Sequence, residues 1–339
     1  MFYEVLEKLC NLNGISGAEI LVREEIIKQI KDYCEYNVDN LGNILAFKKG
    51  KNVPKKRVMV SAHMDEVGLI ITGYTSDGNL TFSKVGGIDD RVIIGRKVFV
   101  GDEKIVGVIG TKAVHLQSAE ERKTVVTSDK LYIDIGCTDK AEAEKNVMLG
   151  EQACFEGNLK TFGNGYLKGK AIDDRFGCAI MIELIKSELL YDTHFAFCVQ
   201  EEVGTRGSKV ASYSISPDVA IVLEATTASD LPEVNGAERV CELGKGAVVG
   251  FMDSATIYPK DLYKLCFKIA NENGVPIQTK TKVAGGNDAG AIHKSCGGVK
   301  TIAISVPCRY IHSPFCVVKK EDIESVKKLT EKLLEEISE

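Results

Sequence analysis

Three runs constrain the fold of this 339-residue chain more than anything else in it. FAFCV (195–199), VAIVL (219–223) and TIAISV (301–306) are apolar without alternation. A strand covered on both faces reads this way, whereas a strand with one wet face alternates. RVMVSA (57–62) is a fourth strand of similar character. Helical segments separate these runs. SGAEILVREEIIKQIKDYC (16–34) carries Ser16 and Glu19 at capping-box spacing. DDRFGCAIMIELIKSELL (173–190) opens on acids that suit a helix dipole. PKDLYKLCFKIANEN (259–273) is stopped by Gly274, and a terminal helix begins near 320. Together they predict an α/β unit, a mostly parallel sheet with helices on both faces.

Residues 68–165 differ in texture. GLIITGYT, RKVFVGDEKIVGVIG and LYIDIGC are short β-rich runs broken by Gly and Asp turns, with a brief helical piece near DKAEAEKNV. This predicts an all-β barrel or sandwich inserted into the α/β unit, which then comprises 1–67 and 166–339.

The polar residues fall at one place in the expected fold. RVMVSA ends on His63, FAFCV leads to Glu201 and Glu202, VAIVL ends on Glu224, and TIAISV is followed six residues on by His312. The helix from 173 opens on Asp173 and Asp174. Open α/β sheets bind ligands at the carboxyl ends of their strands. Singly, each residue has an ordinary structural role: a loop start, a helix cap, a surface His. Five segments that each deliver a His or carboxylate to one sheet edge make a site.

His with carboxylate is a ligand set for zinc, cobalt or manganese. Asp173, Glu202 and Glu224 carry three negative charges, so two dications leave a net +1 and one dication leaves an excess of negative charge. The arithmetic favours two metals, an arrangement that holds an attacking water and polarises a carbonyl. Asp65, two residues beyond His63 on an extended chain, is placed to take the ring N–H of His63. His115, His194 and His293 lie away from the expected edge or in packing positions. AGGNDAG (284–290) is a turn that presents N–H groups but lacks the lysine and spacing of a phosphate loop.

A formal net charge of −5, with no long block of one sign, argues against nucleic acid or an anionic membrane as partner. No apolar run approaches a membrane span, and the acidic start MFYEVLEKLC lacks the basic region of a secretion signal. The 11 cysteines form no CxxC pair and several sit in apolar runs, as expected for reduced thiols of a cytoplasmic protein.

AHMDEVG, KAIDDRFGCA, VQEEVGTRG, GGNDAGAIH and VPCRYIHSP occur in this order. The set resembles the motifs of the tetrahedral aminopeptidases, dinuclear metallopeptidases with glutamyl and deblocking members, some labelled endoglucanase. The resemblance spans nearly the whole chain. It implies that His63 binds one metal, that Asp173 bridges, and that Glu202 and His312 bind the second. It implies Glu201 as general base and Asp65 as the residue that orients His63. The remaining ligand of the first metal is commonly Asp in the family, and this chain has Glu224 there; Asp230 is a possible helper. The resemblance also implies peptide substrates, an insert that makes dimer contacts, and a homo-oligomer built as a tetrahedral assembly of dimers.

The expected function is hydrolysis of the N-terminal residue of a peptide. A metal-dependent deacylase of N-acyl amino acids would use much the same site. A glycosidase would pair Glu201 with another carboxylate but has no use for His63 and His312. A non-catalytic assembly protein would be expected to have lost Glu201. Arg309 either meets an acidic substrate side chain or serves at the surface or between subunits.

Overall fold

The computed structural model of the protein describes residues 2–339. The chain opens with α1 (Phe2–Asn11) and α2 (Ile20–Ile30), then β1 (Glu35–Val38), β2 (Ile44–Lys48) and β3 (Val58–His63). Six strands follow: β4 (Gly68–Tyr74), β5 (Leu80–Val85), β6 (Lys97–Val100), β7 (Ile105–Gly110), β8 (Tyr132–Asp134) and β9 (Gln152–Phe155). They close into a barrel in the order β4-β5-β8-β7-β6-β9, with helix α3 (Lys140–Asn146) between the last two strands in sequence. Inward side chains such as Leu69, Ile71, Val98, Val100, Ile133 and Phe155 form a core of their own, distinct from the α/β core. Closure removes the exposed edges that an open β insert would carry.

Beyond the barrel come β10 (Lys160–Phe162), β11 (Tyr166–Gly169), α4 (Ile172–Lys186), β12 (Thr193–Cys198), α5 (Arg206–Ile215) and β13 (Val219–Thr227). The chain finishes with β14 (Ala247–Val249), α6 (Lys260–Asn273), β15 (Ile277–Thr279), α7 (Ala289–Ile292), β16 (Lys300–Cys308), β17 (Cys316–Lys319) and α8 (Lys320–Ser338). The main sheet runs β1-β2-β12-β3-β13-β16-β14-β15. Its four central strands, β12, β3, β13 and β16, are parallel, and antiparallel pairings join them to both flanks. These central strands are the apolar runs of the sequence, and nearly every residue in them is buried. Helices α1, α2 and α8 each pack against α4, α6 packs against α8, and α5 packs against α7. Strands β10, β11 and β17 form a small separate sheet.

Parallel register brings the strand ends level. Cys198 pairs with His63, and Val222 pairs with Ser61, so Glu224 stands in line with His63 two residues further on. A period of two keeps both side chains on one face.

Two helix starts differ from the sequence expectation. The helix expected from 16 begins at Ile20, and no side chain caps it. The Ser16 hydroxyl donates instead to Asp65 Oδ2 at 2.6 Å, and Glu19 accepts amides at 2.8 Å from Gly17 and 3.1 Å from Gln200. Long-range partners have displaced the local capping box. The helix expected over 173–190 runs Ile172–Lys186, and Asp173 and Asp174 have non-helical backbone angles within it. Their carboxylates serve the sheet edge, not the helix dipole.

Candidate metal centre

The segments expected to meet do meet. Asp173 sits between two histidines. Its Oδ1 lies 3.5 Å from His63 Nε2 and its Oδ2 lies 3.5 Å from His312 Nε2. Glu224 Oε1 stands 3.6 Å from His63 Nε2, and Glu202 Oε2 stands 3.3 Å from His312 Nε2. Two ligand-sized groups result, His63–Asp173–Glu224 and Asp173–Glu202–His312, in each of which the candidate ligand atoms lie within 4.8 Å of one another. The extra methylene of Glu224 does not take it out of the cluster. The Ala225 amide steadies its Oε1 at 3.1 Å, while Oε2 is buried with no hydrogen-bond partner among the described residues. His63 Nε2 is likewise buried and without a hydrogen bond among the described residues.

The electrostatics fit cations. Burial, with Asp173 beside it, pushes the Glu224 carboxyl well above the usual range. Burial and then Asp173 raise Glu202 to about 7. Burial, Asp288, Glu202 and Asp173 push Glu201 well up, against the pull of His63. Burial opposes charge on the imidazoles too, yet Asp173, Asp65 and Glu224 raise His63 well above its ordinary value. Asp173 and Glu202 likewise raise His312 to about 9. Protons here stand in for positive charge that the carboxylates require. Orphaned His63 Nε2 and Glu224 Oε2 atoms, carboxylate and imidazole donors, and a shared Asp173 suit two borderline dications.

Asp65 does more than its spacing implied. The Nδ1 of His63 faces the Asp65 backbone carbonyl at 3.1 Å and its carboxylate at 3.4 Å. That carboxylate accepts the amides of Glu201 at 3.0 Å and Glu202 at 3.1 Å, and the Ser16 hydroxyl. One buried side chain thus ties the β3 exit to the β12 exit.

Several site residues escaped sequence reasoning. Arg175 is fully buried and uses all five of its N–H groups: Nε on the Met64 carbonyl, Nη1 on those of Leu9 and Leu12, and Nη2 on the Gly14 carbonyl and Glu66. Glu66 also accepts from Lys170 at 2.8 Å. This buried group holds the Asp173 segment against the loop that follows His63. Its only sequence signal is position, since Glu66 and Arg175 each flank a candidate ligand motif. Asp174 accepts the His63 amide at 3.1 Å behind the site.

A cavity of about 910 Å³ opens in front of the cluster. Asp173, Glu201, Glu224 and His312 lie at its floor, and Glu233, Lys280, Gly285 and Gly286 are among its walls. Arg309 does not face it as a free cation: it makes two 2.7 Å bonds to Asp230, which also accepts the Leu243 amide. Asp230 is therefore a partner of Arg309, not a helper at the cluster. The AGGNDAG turn contributes Gly285 and Gly286 to the wall and leads into α7. His115 lies in the barrel loop, His194 packs against Phe47 with the ring planes tilted by 46°, and His293 bonds the Ala289 carbonyl, all outside the cluster.

The family model described as M42 glutamyl aminopeptidase matches residues 42–329. A putative aminopeptidase of Acetivibrio thermocellus is 40% identical over 96% of this chain and 96% of its own length. The lysyl aminopeptidase of Pyrococcus furiosus is 33% identical over 99% of this chain and 97% of its own. Among solved structures, the TET1 peptidase of Pyrococcus horikoshii, which can assemble into a tetrahedron or a large octahedral shell, superposes with a TM-score of 0.87 at 39% identity over 98% of this chain and 99% of its own. By sequence and by fold alike, the chain belongs to the M42 glutamyl aminopeptidase family of hydrolases.

Proposed function

We propose that the protein is a two-metal aminopeptidase that removes the N-terminal residue of peptides. The observation that carries this reading is Asp173, which offers one oxygen to each of two ligand groups. His63, Glu224 and Asp173 would hold one dication, and Asp173, Glu202 and His312 the other; zinc, cobalt and manganese all suit these donors. When bound, the pair supplies a polarised scissile carbonyl and a water acidified toward neutrality. Glu201 stands on the cavity floor beside both groups, with a carboxylate whose raised proton affinity suits general base and then general acid work. Its side chain takes the proton of the attacking water and returns it to the leaving amine. Asp65 keeps His63, Glu201 and Glu202 in register through the contacts described above.

The reading extends to organisation. Residues 68–165 act as a dimerisation domain on a catalytic domain of 1–67 and 166–339. The barrel exposes Val106, Val108, Val114 and Leu116, apolar side chains that a partner subunit would cover. A homo-oligomer of the kind formed by the Pyrococcus TET1 peptidase would confine the site and admit peptides. The 11 free cysteines suit a reducing cytoplasm, and among the described residues no helix is long and apolar enough to cross a membrane.

The test is hydrolysis of a panel of aminoacyl chromogenic substrates, N-acyl amino acids and chromogenic glycosides by chelated protein reloaded with each metal in turn. Metal-restored release of free amino acids is expected. Restored cleavage of only the N-acyl compounds, or glycoside cleavage that survives chelation, would overturn the proposal.

A further inference from the structure

Among the described residues the Glu201 carboxylate makes no hydrogen bond to the protein. Its aim is therefore set by the backbone on which it stands. That backbone leaves β12 in a turn whose Gln200 has a left-handed φ of 56°, a conformation that a non-glycine residue holds only when its surroundings impose it.

The surroundings are unusual. Four consecutive amides, 199 to 202, each donate to a side chain from a distant segment. Val199 donates to Asn43 Oδ1 at 2.9 Å, Gln200 to Glu19 Oε1 at 3.1 Å, Glu201 to Asp65 Oδ1 at 3.0 Å and Glu202 to Asp65 Oδ2 at 3.1 Å. The carbonyls of 199, 200 and 201 are taken by amides of 204–207 at the start of α5. Asp65 adjoins His63, so its loss would disturb a candidate metal ligand and the base together. Glu19 differs: it is 4% exposed, it spends its Oε1 on the Gly17 and Gln200 amides, and no hydrogen bond or ion pair joins it to a candidate ligand side chain.

We propose that Glu19 is a positioning residue for the reaction, which holds the left-handed turn at Gln200 and so aims Glu201 at the attacking water. The proposal rests on Glu201 being the base. An angular error at Gln200 is carried through the whole Glu201 side chain, and misplacement by about 1 Å can cost about 100-fold in rate. No sequence pattern announces this role, because Glu19 and Gln200 lie 181 residues apart.

The experiment compares Glu19→Ala, Glu19→Gln, Glu201→Gln and the double variant Glu19→Ala/Glu201→Gln, using the metal-reloaded protein and its best substrate from the panel. For Glu19→Ala, kcat should fall about 10- to 100-fold with KM and bound metal near wild type. Glu19→Gln, whose Oε1 accepts the same two amides, should recover most of that loss. In the Glu201→Gln background, Glu19→Ala should cost nothing further, since the group it aims is gone. Should Glu19→Ala fail to fold, Glu19→Asp, one methylene short of the Gln200 amide, takes its place with the same expectation. Wild-type kcat in Glu19→Ala beside a strongly impaired Glu201→Gln with measurable residual turnover would overturn the proposal and leave the base assignment standing. So would an equal loss on the Glu201→Gln background. A fully active Glu201→Gln would overturn both.

Discussion

Asp173 and His312 approach at 3.5 Å through Oδ2 and Nε2, while the other oxygen of Asp173 keeps the same distance from His63. One carboxylate therefore belongs to both halves of the site, and the two histidines belong to one half each. Replacing Asp173 by Ala is expected to empty both halves, whereas His312→Ala should spare the His63–Glu224 half. Metal content per chain, measured after dialysis, should drop from two to near zero in the first variant and to about one in the second. Rates should fall at least about 100-fold in both, more than the usual cost of losing an outer-shell partner. Equal metal loss in the two variants would refute the shared role of Asp173.

Metal loading should release protons. His312 is raised to about 9 in the metal-free site, so near pH 7 its ring carries a proton that a dication must displace. Glu202, raised to about 7, adds a fraction of another. The sign follows: apparent affinity rises from pH 6 toward pH 9, and His63 and Glu224, both raised well above their ordinary values, add protons to the count. Titration calorimetry in buffers of different ionisation enthalpy measures the protons released, and an affinity flat across that range would contradict the expectation.

The buried Glu66–Arg175 pair, at 3.1 Å, should matter for stability more than any exposed ion pair of the molecule. Arg175→Met leaves Glu66 to Lys170 and the Gly14 amide and strips a partner from the carbonyls of Leu9, Leu12, Gly14 and Met64. Breaking a buried pair on one side costs about 3–5 kcal/mol. Chemical denaturation should show a loss in that range, against less than about 1 kcal/mol for Lys300→Ala, which breaks an exposed pair with Asp261.

Lys280 is half-buried on the cavity wall, donates to the Ala284 carbonyl at 2.8 Å and, among the described residues, has no carboxylate within ion-pair distance. The neighbouring Lys282 is paired with Glu238. Lys280→Glu reverses the one wall lysine without a carboxylate partner among the described residues. The ratio of kcat/KM for acidic over basic aminoacyl substrates should fall at least about 10-fold, roughly one charge reversal at partial exposure. An unchanged ratio would place Lys280 outside the reach of the substrate side chain.

The apolar runs at 57–62, 195–199, 219–223 and 301–306 were enough to establish a buried parallel sheet, because burial on both faces leaves a local imprint of unbroken apolarity. The residues that end those runs, His63, Glu201, Glu202 and Glu224, were legible for the same reason, since a strand end is a local feature. What sequence could not decide was who meets whom. Ser16 and Glu19 satisfied a helix-capping pattern, yet their partners are Asp65 and Gln200. Arg309 could meet a substrate side chain or serve at the surface or between subunits by sequence, and the fold pairs it with Asp230. Glu66, Lys170 and Arg175 carry no local mark of the buried cluster they form. A hydrogen bond or ion pair depends on distances of about 3 Å, and those are set by strand order and register between segments 49 to 181 residues apart. Periodicity therefore wrote the sheet and its polar edge into the sequence, while only tertiary structure chose the partners that hold that edge in place.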